Sequence, residues 1–275
     1  MSLLPSLFVS HGAPTLALVP GKTGRALEQL GRILPKPGAI LVISAHWGTR
    51  DPCVSIADFP ETLHDFRGFP SELYTLRYPA PGAPSVAHHV LELLHQAGWR
   101  EGYALDRGLD HGAWVPLRYL FPRADIPVLQ LSVQYDRTPS YHYRLGQTLR
   151  PLRERGILIL GSGSLTHNLS EVVPGDVPPA SYVDEFRQWI VGRLRKSAVD
   201  DLQHYRTLAP HAERAHPDED HLLPLFVTLG AMNGESDFVH IDNGTNDRVL
   251  AMDAFVFGKS DVSSHIASDF HVMAV

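Results

Sequence analysis

Three apolar runs rich in β-branched residues each end in small residues and then a histidine. They are LLPSLFVSH, ending at His11; AILVISAH, ending at His46; and ILILGSGSLTH, ending at His167. Runs of this kind, without polar alternation, read as strands buried on both faces, and a chain covers both faces of a sheet only with helices on either side. Ligands bind such sheets in the crevice beyond the carboxyl ends of the strands. The chain is therefore expected to be α/β, with a central mixed, largely parallel sheet flanked by helices and its active site at the strand C-terminal ends.

The remaining pattern supports one domain over 1–275, with 258–275 as a loose C-terminal tail. Strands are predicted at 3–9, 38–45, 124–133 and 156–163, and two last strands near 237–242 and 249–257. Helices are predicted near 22–33, over SVAHHVLELLHQAG, after Gly112, at 140–155, over PASYVDEFRQWIVGRLRK and near 218–232. The stretch DFPETLHDFRGFPSELYTLRYPAPGAP is too apolar for a linker and too long for a plain connection, so it reads as a functional loop packed over the site.

Composition removes several function classes. The formal charge is −6 and no basic block occurs, so nucleic acid and anionic membranes have no electrostatic attraction for this chain. No apolar run nears the roughly 18 residues of a membrane span. A single cysteine, Cys53, excludes an internal disulfide framework and a cysteine-built zinc site. The apolar N-terminus lacks a basic leader and reads as a first strand, so a cytoplasmic location is expected. Oligomeric state, including a homo-oligomer, is left open.

Chemistry concentrates on five of the sixteen histidines. Imidazole is the commonest metal ligand and the side chain best poised for proton transfer near neutral pH. His11 and His46, each at a predicted strand end beside small residues, are the best candidate ligands. His221 begins the apolar segment HLLPLF, a rigid mount, with Asp220 beside it as a competing ligand or a hydrogen-bond acceptor. His111 follows Asp110, which could hold its imidazole in one tautomer as a general base requires. His167 follows Gly-Ser-Gly, whose small residues let the chain turn into the crevice. That segment lacks the Lys-Ser/Thr of a phosphate loop, and neither a G-x-S-x-G elbow nor an H-E-x-x-H motif occurs in the chain.

Taken in order, FVSHGAP, ISAHW, TLHDFRGFPSELYTLRYPAPGAP, LDHGAW, IPVLQLS, GSGSLTHNL and HPDEDHLLPLFVTLGA resemble the class III extradiol ring-cleavage dioxygenases, in the DOPA 4,5-dioxygenase-like subgroup. The resemblance implies an oxidoreductase that inserts O2 into a catechol at one mononuclear, non-haem divalent metal. It implies His11, His46 and His221 as ligands, with His167 as a fourth, His111 and His167 as catalytic proton-handling groups, and His64 and Tyr74 as substrate-binding residues. Fe(II) is implied for activity. A three-histidine set also suits Zn(II), so a zinc-dependent hydrolase of an amide, ester or lactone on the same scaffold is the alternative, and a metal-binding protein without catalysis a second. Arg67 and Arg77 could each pair with a substrate carboxylate or simply be surface residues.

Overall fold

A computed structural model describes residues 3–232 and 237–258. The strands in chain order are β1 (Ser6–Ser10), β2 (Ala39–Gly48), β3 (Cys53–Ser55), β4 (Gly102–Ala104), β5 (Val128–Val133), β6 (Ile157–Gly163), β7 (Phe238–Ile241), β8 (Thr245–Asn246), β9 (Leu250–Ala251) and β10 (Ala254–Phe257). Eight of them form one sheet in the order β4-β3-β5-β2-β6-β1-β10-β7. Its centre, β5-β2-β6-β1, is parallel, while β10 and β7 close one side antiparallel and β3 joins β5 antiparallel on the other. The result is a single α/β domain with a mixed, mostly parallel sheet, as the apolar runs require.

Alternation along the strands divides the core. Ile40 and Val42 face one side with Leu7, Val9, Leu158 and Leu160, against the helices Gly21–Ile33 and His111–Leu120. Leu41 and Ile43 face the other side with Leu129, Leu131 and Ile159, against Pro84–Gln96, Pro139–Leu149 and Leu223–Gly230. Further along that second side, Phe8, Phe255 and Phe257 pack on the helix Ser181–Arg195. Burial on both faces is what makes these strands read as unbroken apolar runs.

Several boundaries differ from expectation for identifiable reasons. The predicted 140–155 helix divides into Pro139–Leu149 and Pro151–Glu154, because Pro151 has no N–H to continue the ladder. The helix expected from 218 starts at Leu223 with Pro224 in its first turn, and turns carry the chain through 217–222. The last predicted strand splits into β9 and β10 around Asp253, a buried carboxylate that receives a forked pair of bonds from Arg187 and one contact from His240. Of the expected tail, residues 259–275 lie outside the described residues. Among the described residues no helix is long and apolar enough to cross a membrane.

His142, fully buried, donates through Nδ1 to the Thr138 carbonyl and accepts from the Gln134 N–H at Nε2, so the neutral ring uses each nitrogen once. Burial pushes its pKa down to about 4. Between pH 6.5 and 4 the unfolded chain therefore holds a proton here that the native protein does not, and stability falls as pH drops through that window. The contribution is about 1.4 kcal/mol per pH unit. Urea unfolding of metal-free protein at pH 7, 6, 5 and 4.5 is expected to show this loss, with a slope shallower by about that amount in His142→Gln. An equal slope in both proteins would remove His142 from the account.

Candidate metal centre and active site

Adjacent parallel strands deliver the first two histidines. β6 lies between β1 and β2, with Ser10 in register with Gly163 and Ser44 in register with Ser162. His11 therefore leaves β1 level with the end of β6, and its N–H bonds the Gly163 carbonyl at 2.9 Å. The Ser162 hydroxyl donates to the Gly112 carbonyl, so toward His11 Nδ1, 3.0 Å away, it can only accept. His11 thus carries its proton on Nδ1 and presents a lone pair from Nε2.

His46 belongs to β2 itself, where the strand bulges. The pairing with β5 passes from Ile43 opposite Leu131 to Gly48 opposite Val133, so the intervening residues leave the ladder. Side chains take over their backbone groups. The Tyr135 hydroxyl donates to Ala45 O at 2.6 Å, Arg107 to His46 O at 3.4 Å, and the His46 N–H reaches Ser44 Oγ at 3.2 Å. Gly48 is needed here, because a Cβ would meet the Tyr135 ring at 2.1 Å. Behind the bulge, the fully buried Asp110 accepts from Ser44 Oγ, Ala113 N, Arg107 and Gln130.

His221 is carried by the turn before the helix Leu223–Gly230. Its carbonyl accepts from Ser164 N at 2.9 Å and lies where a Cβ on Gly163 would be, 2.0 Å from that position. The small residues of Gly-Ser-Gly thus serve the approach of this turn to β6, with Gly161 likewise placed under Pro224 O. Asp220 turns onto its neighbour: one oxygen accepts from His221 N at 2.9 Å, and the other lies 3.1 Å from His221 Nδ1 without hydrogen-bond alignment.

One ligand nitrogen each from His11, His46 and His221 lies within 4.8 Å of the others. The Nε2 atoms of His11 and His46 are 2.9 Å apart. Two imidazole nitrogens about 2.1 Å from one ion and at right angles would be about 3 Å apart, so this pair suits a shared cation. Both ring nitrogens of His221 are buried without a hydrogen-bond partner, which a bound metal would remedy. Burial, reinforced by the neighbouring imidazoles, holds His11 and His221 well below the usual histidine range, and burial with His111 nearby lowers His46 to about 4. All three are neutral near pH 7, the form that ligates metal.

Two more histidines complete the cavity. The His111 ring lies 4.0 Å from that of His46, and His167 stacks on His221 with ring centroids 3.4 Å apart. His167 is lowered by burial, partly offset by Asp220. The acceptor that orients His111 is Asp65, which corrects the expectation for Asp110. Asp65 takes the His111 N–H at 2.8 Å and faces Nδ1 at 3.0 Å. Asp110, the N-cap of the helix, is instead turned back onto the first turn and the buried network. Burial pushes the Asp65 carboxyl up, but hydrogen bonds and charge from His111 outweigh it and hold the group at about 2. It is a permanent carboxylate at neutral pH.

The cavity is about 570 Å³ and includes all five histidines in its wall, with Phe66 and Phe69 from the long loop. His64 and Tyr74 pack behind Phe66, at 5.8 and 5.3 Å between rings, and are not part of that wall. Asp65 was legible only as a carboxylate in the same loop, whereas nothing local marked Tyr135 or Arg107.

Residues 6–256 match the family described as the catalytic LigB subunit of aromatic ring-opening dioxygenase. The chain belongs to that family. It is an extradiol aromatic ring-opening dioxygenase, of a family that uses a single metal, and the histidine cluster could hold that ion. It is 40% identical over 256 residues to the 4,5-DOPA dioxygenase extradiol of Beta vulgaris, covering 92% of this chain and 96% of that one. The Escherichia coli (strain K12) protein of the same name is 37% identical over 84% of this chain and 86% of its own length. A crystal structure of an uncharacterized protein from Escherichia coli K12 superposes with a TM-score of 0.76 at 31% identity, over 93% of this chain and all of that one.

Because Ser162 sets the His11 tautomer, Ser162→Ala in this LigB-family chain is expected to weaken metal binding about 10- to 100-fold with the fold retained. Chelator competition against Zn(II) measures this. Unchanged affinity would show that His11 needs no such partner.

Proposed function

We propose that this enzyme opens the ring of a catechol with a DOPA-like side chain, using Fe(II) held by His11, His46 and His221. The convergence of those three neutral imidazoles, with His111 and His167 facing them across one cavity, is the observation that carries the reading. The DOPA-like substrate follows from the names of the relatives, whose length this chain nearly spans. Fe(II), when bound, supplies the electron exchange between catechol and O2 that Zn(II) cannot.

The protein's own groups perform the positioning and proton transfer. Phe66 and Phe69 offer apolar faces to an aromatic ring, and Phe66 stands edge-on to His111 at 5.6 Å. His111 gives its Nδ1 proton to the hydrogen bond with Asp65, so Nε2 holds the free lone pair and can take a phenolic proton. The Asp65 carboxylate stabilises the imidazolium that forms. His167, on the opposite side against His221, is placed to orient the substrate and return a proton during cleavage, and it is adjacent enough to the ligands to serve as a fourth. Both atoms of O2 enter the product as the carbon–carbon bond beside the diol breaks, leaving an aldehyde and a carboxylate.

Metal-free protein loaded anaerobically with Fe(II), then given L-DOPA and air, is expected to form a yellow ring-opened product; Zn(II)-loaded protein is expected to form none. His11→Ala is expected to lose bound metal, and His167→Ala to keep it while turnover falls at least 100-fold. No product from any catechol with Fe(II), or full metal retention by His11→Ala, would overturn the assignment. Asp65→Asn is expected to keep metal and lower kcat about 10- to 100-fold, since the imidazolium loses its counter-charge. Normal kcat in that variant would remove the Asp65–His111 pair from the mechanism.

A further inference from the structure

The histidines account for the diol end of a substrate, leaving open what the rest of the cavity recognises. Among the described residues, no Lys or Arg lines it. Arg77 is spent on the carbonyls of Tyr74 and Leu76, outside the wall, and Arg67 is exposed outside it too. Arg214, which lies close to Asn168, forms a fork with Glu171 at 2.7 and 2.8 Å.

The polar groups that do line the wall sort by their partners. Ser170 Oγ donates to Asn168 Oδ1 at 2.6 Å, and the Asn168 amide donates to Arg214 O and Glu171. Asp220 is turned onto His221, one oxygen accepting from its N–H and the other 3.1 Å from its Nδ1 without a hydrogen bond. Asp218, in the turn that leads to His221, is exposed and lines the cavity in company with His167. It is the carboxylate left to face a substrate. A negatively charged tail would meet this carboxylate with no Lys or Arg among the described lining residues to balance it, whereas an ammonium would be attracted.

We propose that the preferred substrate is a catechol with a protonated amine on its tail, and that Asp218 selects it against catechols whose tail carries a carboxylate alone. This rests on the catechol reading above. A solvent-exposed ammonium–carboxylate pair changes affinity by up to about fivefold, and a like-charge pairing costs a similar factor. Amine and acid therefore separate by up to about 25-fold, with a zwitterionic amino acid between them. The separation shrinks as salt screens the site.

The test is anaerobic titration calorimetry of the Fe(II)-loaded enzyme, at low and high ionic strength. Dopamine, L-DOPA and 3-(3,4-dihydroxyphenyl)propionate are the probes, against wild type and Asp218→Asn. The expected order is dopamine tightest and the propionate weakest, by up to about 25-fold, falling to about threefold or less in Asp218→Asn and at high salt. Equal binding of amine and acid, or tighter binding of the acid, would overturn the proposal while leaving ring cleavage intact. A preference that Asp218→Asn leaves untouched would overturn the role of Asp218. Failure of every catechol to bind would overturn both this proposal and the catechol reading beneath it.

Discussion

The carbonyl oxygen of His221 occupies the space that any side chain on Gly163 would fill, and the site depends on that contact. It presses the turn carrying His221 against the end of β6, level with His11 on β1 and beside the bulge of β2 that carries His46. Gly161 repeats the device one step earlier, under the carbonyl of Pro224. A methyl group at either position would move the helix Leu223–Gly230 off the sheet, and His221 with it. The order β2-β6-β1 puts two candidate ligands at the ends of the strands flanking β6 and lets β6, through its lack of side chains, admit the third.

Packing five imidazoles around one cavity has an electrostatic consequence. His11, His46, His167 and His221 would each lose most of their hydration if charged, beside other imidazoles, so these four stay neutral in the metal-free protein. Neutral rings present lone pairs at short range, as the 2.9 Å separation of two Nε2 atoms displays. An ion that binds only the folded state relieves this and adds its binding free energy to stability. The cluster is thus organised for a cation before the cation arrives, and acid opposes both binding and folding through the same groups.

Much of this was readable in the chain because it depends on local pattern. Unbroken runs ending at His11 and His46 announced strands of a covered sheet, whereas the small residues before His167, read as a turn into the crevice, lie in β6 and admit the turn carrying His221. What escaped notice depends on tertiary placement. Asp110 precedes His111 in sequence, yet the helix start directs its carboxylate backward, and the partner comes from Asp65 in a distant loop. His64, one residue away, takes the opposite side and packs behind the wall. The β2 bulge has no signature at all, since it is held by Tyr135, Arg107 and Ser44, which are brought together only by the fold.

The side-chain supports differ for each candidate ligand. His11 is set by one serine, His46 by a bulge clamped from several elements, and His221 by backbone contact and its own neighbour Asp220. The mounts of His11 and His221 meet at Gly163, so changes away from that residue are the ones expected to act independently. The two proposed proton-handling histidines differ: His111 lies against His46, and His167 against His221, so each shares a wall with a candidate ligand. A shift in either ligand therefore moves a base as well. On the proposed roles, the reaction therefore depends on more contacts than metal retention does.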